Sequence, residues 1–296
     1  MNSKRSLFEI HLAVLLFGLA GLFGKWLALS PVIIVLGRVF FASVTLALLL
    51  LFTKQSLRIY PRKNYSLLFL LGLILSIHWT SFFKSIQVST VAVGLLTFSI
   101  FPVFTAFLEP LFFKEKLVKL NLVFAFLCLC GVYLIIPRFD LSDSIYQGVL
   151  WGLLSAMTFA LLVILNRYLS QRYSSLVITF FQDFFATLFL LPGLFFIHSE
   201  YAWRNIFLLV ILGVFCTAGA HSLFIKGMKY IKAQTASIIA TLEPVYGIVL
   251  AFVLLREKPS LRTILGGIVI LTAVFIVTLK TKASLSKLYD IPEEKK

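Results

Sequence analysis

From Leu7 to Lys280 the chain runs through one long apolar stretch after another, with only short polar gaps between them. A helix needs about 20 consecutive apolar residues to cross a bilayer, where its backbone polar groups must be satisfied internally. The stretches have that length. They predict helices over 7–29, 31–53, 64–84, 88–113, 117–137, 145–167, 174–198, 203–226, 233–255 and 260–280, an all-α membrane protein of ten transmembrane helices. Proline or charge marks most gaps, at Pro31, Pro61 to Lys63, Lys114 to Lys116, Pro137 to Asp143 and Arg256 to Pro259. A polar tail, 281–296, follows and is expected to be mobile and cytoplasmic. Lys4-Arg5 and the apolar run from Ile10 to Gly24 have the outline of a signal peptide, but no small-x-small cleavage site follows, so the run reads as an uncleaved first helix.

Composition points the same way. Only 13% of the residues are charged and 60% are apolar, against roughly 25% charged in soluble domains. The net charge of +15 raises the question of nucleic acid. Its placement answers it, because the basic residues sit in short loops rather than on one face, and no nucleic-acid partner is expected. With the N-terminus inside, nineteen lysines and arginines fall in inner segments and seven in outer ones, while Arg38 lies within a span. That bias places both termini in the cytoplasm, which requires an even number of helices. Cys128, Cys130 and Cys216 all lie inside apolar runs and read as small apolar filler. Walker A, His-Glu-x-x-His and Gly-x-Ser-x-Gly signatures are missing and the four histidines are isolated, so no cofactor, metal site or enzymatic activity is expected.

The chain also repeats itself. A shift of 142 residues lays Lys84 on Lys226, Pro102-Val103 on Pro244-Val245, and Lys114-Glu115-Lys116 on Arg256-Glu257-Lys258, with no gap from 84 to 137. Each half, 7–137 and 145–280, then holds five helices. An odd number forces the second half to insert upside down relative to the first, the inverted-topology plan of many secondary transporters.

On these features the chain resembles the EamA-type members of the drug/metabolite transporter superfamily. The features are ten helices in two halves and a mid-span proline in the fourth helix of each. That helix ends in Lys-Glu-Lys-Leu (114–117) or Arg-Glu-Lys-Pro (256–259), and Leu242-Glu243-Pro244 stands in the second half. The resemblance covers about residues 9 to 280. It implies an inner-membrane carrier of small metabolites, often an exporter. Phe101 stands where the second half has Glu243, so the first half departs from the second.

The candidate substrate-binding residues are Glu243, Trp79, His78, Phe82, His221, Arg38 and Asp183, with Pro102 and Pro244 as helix breaks that would serve gating. A proline inside a helix frees backbone carbonyls, and paired breaks in a carrier's two halves point to its central site; the alternative is a packing kink. Glu243 lies mid-span, with Ala236, Ala240 and Gly247 on its face. A carboxylate there is costly, and it reads as a substrate-amine or proton site, or else as a polar contact between helices. His78, Ser81 and Ser85 share one face, with Trp79, Phe82 and Phe83 beside it, and His221 falls on Trp79 under the shift. Such a wall suits a small organic ligand, and equally an interhelical hydrogen bond. Arg38, with Ala42 and Thr45 on its face, and Asp183, with Thr179 and Thr187, either line the pathway or snorkel and pair locally.

Together these readings predict a secondary carrier of a small metabolite, an amino acid first. Its partners are the substrate, the lipid bilayer and protons as a candidate coupling ion. An intramembrane lipid-modifying enzyme is one alternative and a non-transporting helical scaffold another. The scattered polar residues speak against the first, and the mid-span charges and paired prolines against the second.

Overall fold

The computed structural model describes residues 2–113, 120–170, 172–197, 202–228, 239–240 and 242–288. Among them every regular element is helical. Seven segments are long and apolar enough to cross a membrane: Arg5–Trp26, Pro31–Phe52, Asn64–Val88, Val91–Leu108, Ser144–Asn166, Ser175–Phe196 and Trp203–Phe224. Three shorter apolar helices stand with them, at Leu122–Ile135, Glu243–Leu255 and Leu261–Ile276. The Lys114-Glu115-Lys116 ending, residues 233–238 of the ninth predicted helix with Ala236, the loop at Lys229 and Lys232, and 289–296 lie outside the described residues.

The first three helices are α1 (Asn2–Trp26), α2 (Pro31–Phe52) and α3 (Asn64–Val88). The predicted helix 88–113 is two helices, α4 (Val91–Phe98) and α5 (Phe101–Phe113), separated by a turn at Ser99-Ile100. Then come α6 (Leu120–Ile135), α7 (Ser144–Ser170) and α8 (Ser175–Leu190). The predicted helix 174–198 is also broken. Pro192 follows Leu190 at a turn, and the short α9 (Gly193–Phe196) completes the span. In the next span α10 (Trp203–Gly213) and α11 (Ala220–Met228) are joined by a π-helical segment, Val214–Gly219. The last elements are α12 (Glu243–Leu250), a second π segment at Ala251–Leu255, and α13 (Leu261–Leu288). The tail expected to begin at 281 is therefore helical as far as Leu288.

The two breaks answer each other. Helix α5 starts at Phe101 and α12 at Glu243, 142 residues apart, each with a proline at its second position. Pro102 and Pro244 were expected as mid-span helix breaks, with a packing kink inside one continuous helix as the alternative. They stand in the first turn of helices that start at Phe101 and Glu243, where a missing N–H costs nothing and the fixed φ suits the helix. Other starts are capped by side chains. Ser30 Oγ accepts from Ile33 N (3.4 Å), Thr90 Oγ1 from Val93 N (3.1 Å), Asp143 Oδ1 from Ile145 N (2.9 Å) and Ser260 Oγ from Thr263 N (3.1 Å). Each fills a donor that a helix start leaves open.

Packing is set by which helices meet closely. Helix α3 lies against α7 and α8, α2 against α8 and α10, α1 against α11 and α12, and α6 against α13. The main core gathers Phe23, Ile34, Leu50, Leu68, Phe83 and Leu95, all buried. A second joins Leu96, Phe124, Cys128, Val132 and Ile270. Large apolar side chains such as Phe52, Phe126, Phe196 and Phe207 point outward, as they must where the solvent is lipid.

Small residues allow the closest approaches. A Cβ on Gly18 of α1 would lie 2.8 Å from Gly247 N and 2.9 Å from Glu243 O, both backbone atoms of α12. A Cβ on Gly37 would meet the Leu209 side chain, nearest at 2.7 Å, which can turn aside. Gly18→Ala should therefore force α1 and α12 apart and cost about 1–3 kcal/mol. Gly37→Ala should cost clearly less. Melting temperatures of the two variants in one detergent check this. Equal melting would mean that the α1–α12 contact is not tight.

Candidate functional site

Arg38 lies on α2, only 4% exposed. Its Nε donates to Thr217 Oγ1 at 2.8 Å, and the Thr217 hydroxyl donates to Leu212 O at 2.9 Å. Thr217 belongs to the π segment between α10 and α11. The wider turn supplies the Leu212 carbonyl five residues back, so Thr217 presents only its lone pair to the arginine. Arg38 Cζ sits 3.8 Å from the centroid of the buried Trp79 ring and 5.9 Å from that of Phe83. Among the described residues the terminal amino groups of the guanidinium find no acceptor. The arginine is thus held at its neck and along one face, with its fork free.

Asp183 lies on α8, which packs against α2 and α3. It is 1% exposed, and among the described residues neither carboxylate oxygen has a hydrogen-bond partner. Its neighbour Gln182 is bonded to Asn166 of α7. Helices α2 and α8 pack together, with Ala42 and Leu46 of α2 in one cluster with Phe180 and Leu176 of α8, so Arg38 and Asp183 lie one turn further along the same contact; yet the two make no ion-pair contact among the described residues. The sequence left open whether these two residues line the pathway or snorkel and pair locally; Arg38 bonds Thr217 and stacks on Trp79, and neither forms an ion pair among the described residues.

Glu243 is the first residue of α12 and is partly buried. Its backbone carbonyl lies beside Gly18, and its side chain makes no hydrogen bond among the described residues. Gly247, expected on its face, is the residue that meets α1. At the matching position Phe101 stacks on Phe98 (5.4 Å between centroids) and meets Phe159 edge-on (4.8 Å). An aromatic cluster fills the first-half break, whereas the second-half break carries a carboxylate.

The remaining predicted residues divide. Trp79 joins Arg38. His78, 2% exposed, is tied to α7, its Nδ1 2.9 Å from Ser155 O and 3.0 Å from Ser155 Oγ. Its ring faces Phe159 at 4.9 Å and Phe98 at 5.4 Å. Phe82 belongs to the same cluster, 5.5 Å from Phe98. His221 on α11 stands edge-on to Phe17 of α1, at 5.2 Å. His78 and His221 therefore hold different pairs of helices, α3 with α7 and α11 with α1. Sequence reasoning missed Thr217, Ser155 and Phe159. A hydroxyl inside an apolar run was the signal available for the first two.

Both ends of the bundle are tied across segments. At the α1–α2 end, Lys25 Nζ donates to Ser89 O (2.7 Å), Gln87 Nε2 to Leu29 O (2.8 Å), and Val91 N to Glu257 Oε2 (3.0 Å). Lys25 thereby caps the end of α3. At the other end the Tyr173 hydroxyl donates to Tyr60 O (2.6 Å) and accepts from Asn64 Nδ2 (2.8 Å), and Ser174 Oγ donates to Gln55 Oε1 (2.7 Å).

Apolar helices of membrane length, broken in register and enclosing charged groups, define a polytopic membrane protein with a polar interior. Its family follows from comparison. The chain belongs to the EamA-like transporter family, which matches residues 5–136 and again 146–279. It is 27% identical over 207 residues to an uncharacterized transporter of Bacillus subtilis (strain 168), YxxF, over 67% of this chain and 65% of that protein, just under two thirds of its length. It is 23% identical over 219 residues to the S-adenosylmethionine uptake transporter of Rickettsia bellii (strain RML369-C), over 73% of each. A solved crystal structure of a protein shares the fold, with a TM-score of 0.65, 17% identity and coverage of 99% of this chain and 100% of that one.

Proposed function

We propose that this chain is a secondary carrier. It moves a small metabolite of the amino-acid class across a bacterial inner membrane by alternating access between two inverted five-helix halves, 7–137 and 145–280. The observation that carries this reading is the pair of helix restarts at Phe101 and Glu243, 142 residues apart, with Arg38 and Asp183 buried on the packed helices α2 and α8. Broken helices at a carrier's midplane leave polar backbone where a substrate passes, and ionisable groups inside a membrane are retained for function by default. The ties at the two ends of the bundle are of the kind that must break in turn as access alternates. A relative named for S-adenosylmethionine uptake supports a substrate with an α-amino-acid head. Protons are the coupling ion in this reading, carried on Glu243.

The direct test is flux in proteoliposomes over a panel of amino acids, S-adenosylmethionine and nucleotides, with and without a pH gradient. Saturable flux of an amino-acid-class solute is expected, and no flux of any solute would remove the carrier reading. Topology is tested separately. Both termini are cytoplasmic in this reading, so a cysteine at position 140 should label from outside and one at position 58 should not. The opposite pattern would overturn the orientation.

A further inference from the structure

The geometry points to Arg38 and Asp183 as the two poles of one binding site, Arg38 taking the carboxylate and Asp183 the ammonium of a zwitterionic substrate. This inference rests on the carrier reading above and assigns its substrate contacts. Two opposite buried charges free to move would close on each other as a bidentate pair. Here they are held apart. The guanidinium is pinned through Nε to Thr217, at 2.8 Å, and lies on the Trp79 ring, 3.8 Å from its centroid. Asp183 is fixed on α8, with its backbone carbonyl accepting from Thr187 Oγ1 at 2.8 Å.

What each pole lacks defines the ligand. The free fork of Arg38 calls for a planar anion with two oxygens. Asp183 has two oxygens without a donor in a place that is 1% exposed. Leaving such a group unsatisfied is costly, so the site calls for a cation that brings its own N–H groups. A primary ammonium does this and a quaternary one does not. One small molecule carrying both groups is an α-amino acid or a larger metabolite with an amino-acid head. Trp79, already under the guanidinium, supplies an apolar floor beside Arg38.

The test uses the purified full-length protein and ligand-induced shifts in melting temperature. The probes are the common L-amino acids and S-adenosylmethionine. The best of them is compared with its amide, which lacks the anion, and with its desamino acid, which lacks the ammonium. Each analogue should bind about tenfold more weakly or worse. Asp183→Asn should weaken the parent by a similar factor and narrow its advantage over the desamino acid. The analogue series uses wild-type protein, so it stands whether or not the variant folds. Analogues that bind as well as the parent, no shift with any probe, or an Asp183→Asn protein that keeps its preference for the ammonium would each overturn the inference. Flux in proteoliposomes separates this from the carrier reading: transport of solutes that lack one charge leaves a carrier without a two-pole site, and no transport at all removes both.

Discussion

The double variant Arg38→Met, Asp183→Asn should melt at a higher temperature than the wild type and carry no substrate. Burying two charges costs several kcal/mol each, and mutual attraction repays this only in close, well-bonded geometry. Arg38 has one hydrogen bond and a ring beneath it, Asp183 has no side-chain bond, and the two do not touch. Replacing both by neutral groups of similar volume should stabilise by about 1–4 kcal/mol, against a cation–π contact worth about 0.5–2 kcal/mol. Each single change leaves the other charge without its counterpart, so each should melt below the double variant, and the deviation from additivity measures their coupling. Transport should fall in all three, since losing one buried charged contact to a ligand costs about 2–5 kcal/mol, roughly thirtyfold to several thousandfold in affinity. Thermal melts and flux on the four proteins check this. A double variant that is less stable than wild type would make the charges structural, and one that transports normally would remove them from the site.

What was legible in the sequence follows from what a residue type alone can mark. Apolar length marked the spans, and proline marked the breaks at Phe101 and Glu243. The face of His78, Ser81 and Ser85 was legible from helical spacing. It is turned toward α7, where His78 meets Ser155 and Ser85 Oγ donates to Gly148 O at 2.6 Å. The π segments were not legible, because no residue type signals one, and with them the role of Thr217 was hidden. Pro192 passed unremarked inside a long apolar run although it ends α8. Whether a buried charge has a partner is decided by segments far apart in the chain. Lys25 finds Ser89 and Arg38 finds Thr217 across such distances, and Asp183 finds none for its carboxylate. Spacing along one helix carries no information about these outcomes.

Glu243→Gln should leave the fold nearly unchanged while cutting transport by about tenfold or more and removing its dependence on pH. The side chain makes no hydrogen bond among the described residues. Its structural contribution is then a negative charge in the first turn of α12, worth about 0.3–1 kcal/mol at a helix start. Glutamine keeps the size and gives up only that. The symmetric need of the repeat cannot explain the carboxylate, because Phe101 serves the same position in the first half by packing on Phe98 and Phe159. A group present in one half alone suits a ligand or proton that one half binds and the other does not. A carrier that moves its proton on this group loses pH dependence when the carboxyl becomes an amide, whereas Glu243→Asp keeps the carboxyl and should keep part of the activity. Flux and melting temperature of both variants, measured side by side over a pH series, decide the matter. If Glu243→Gln transports like wild type at every pH, Glu243 is a helix start and the coupling group lies elsewhere.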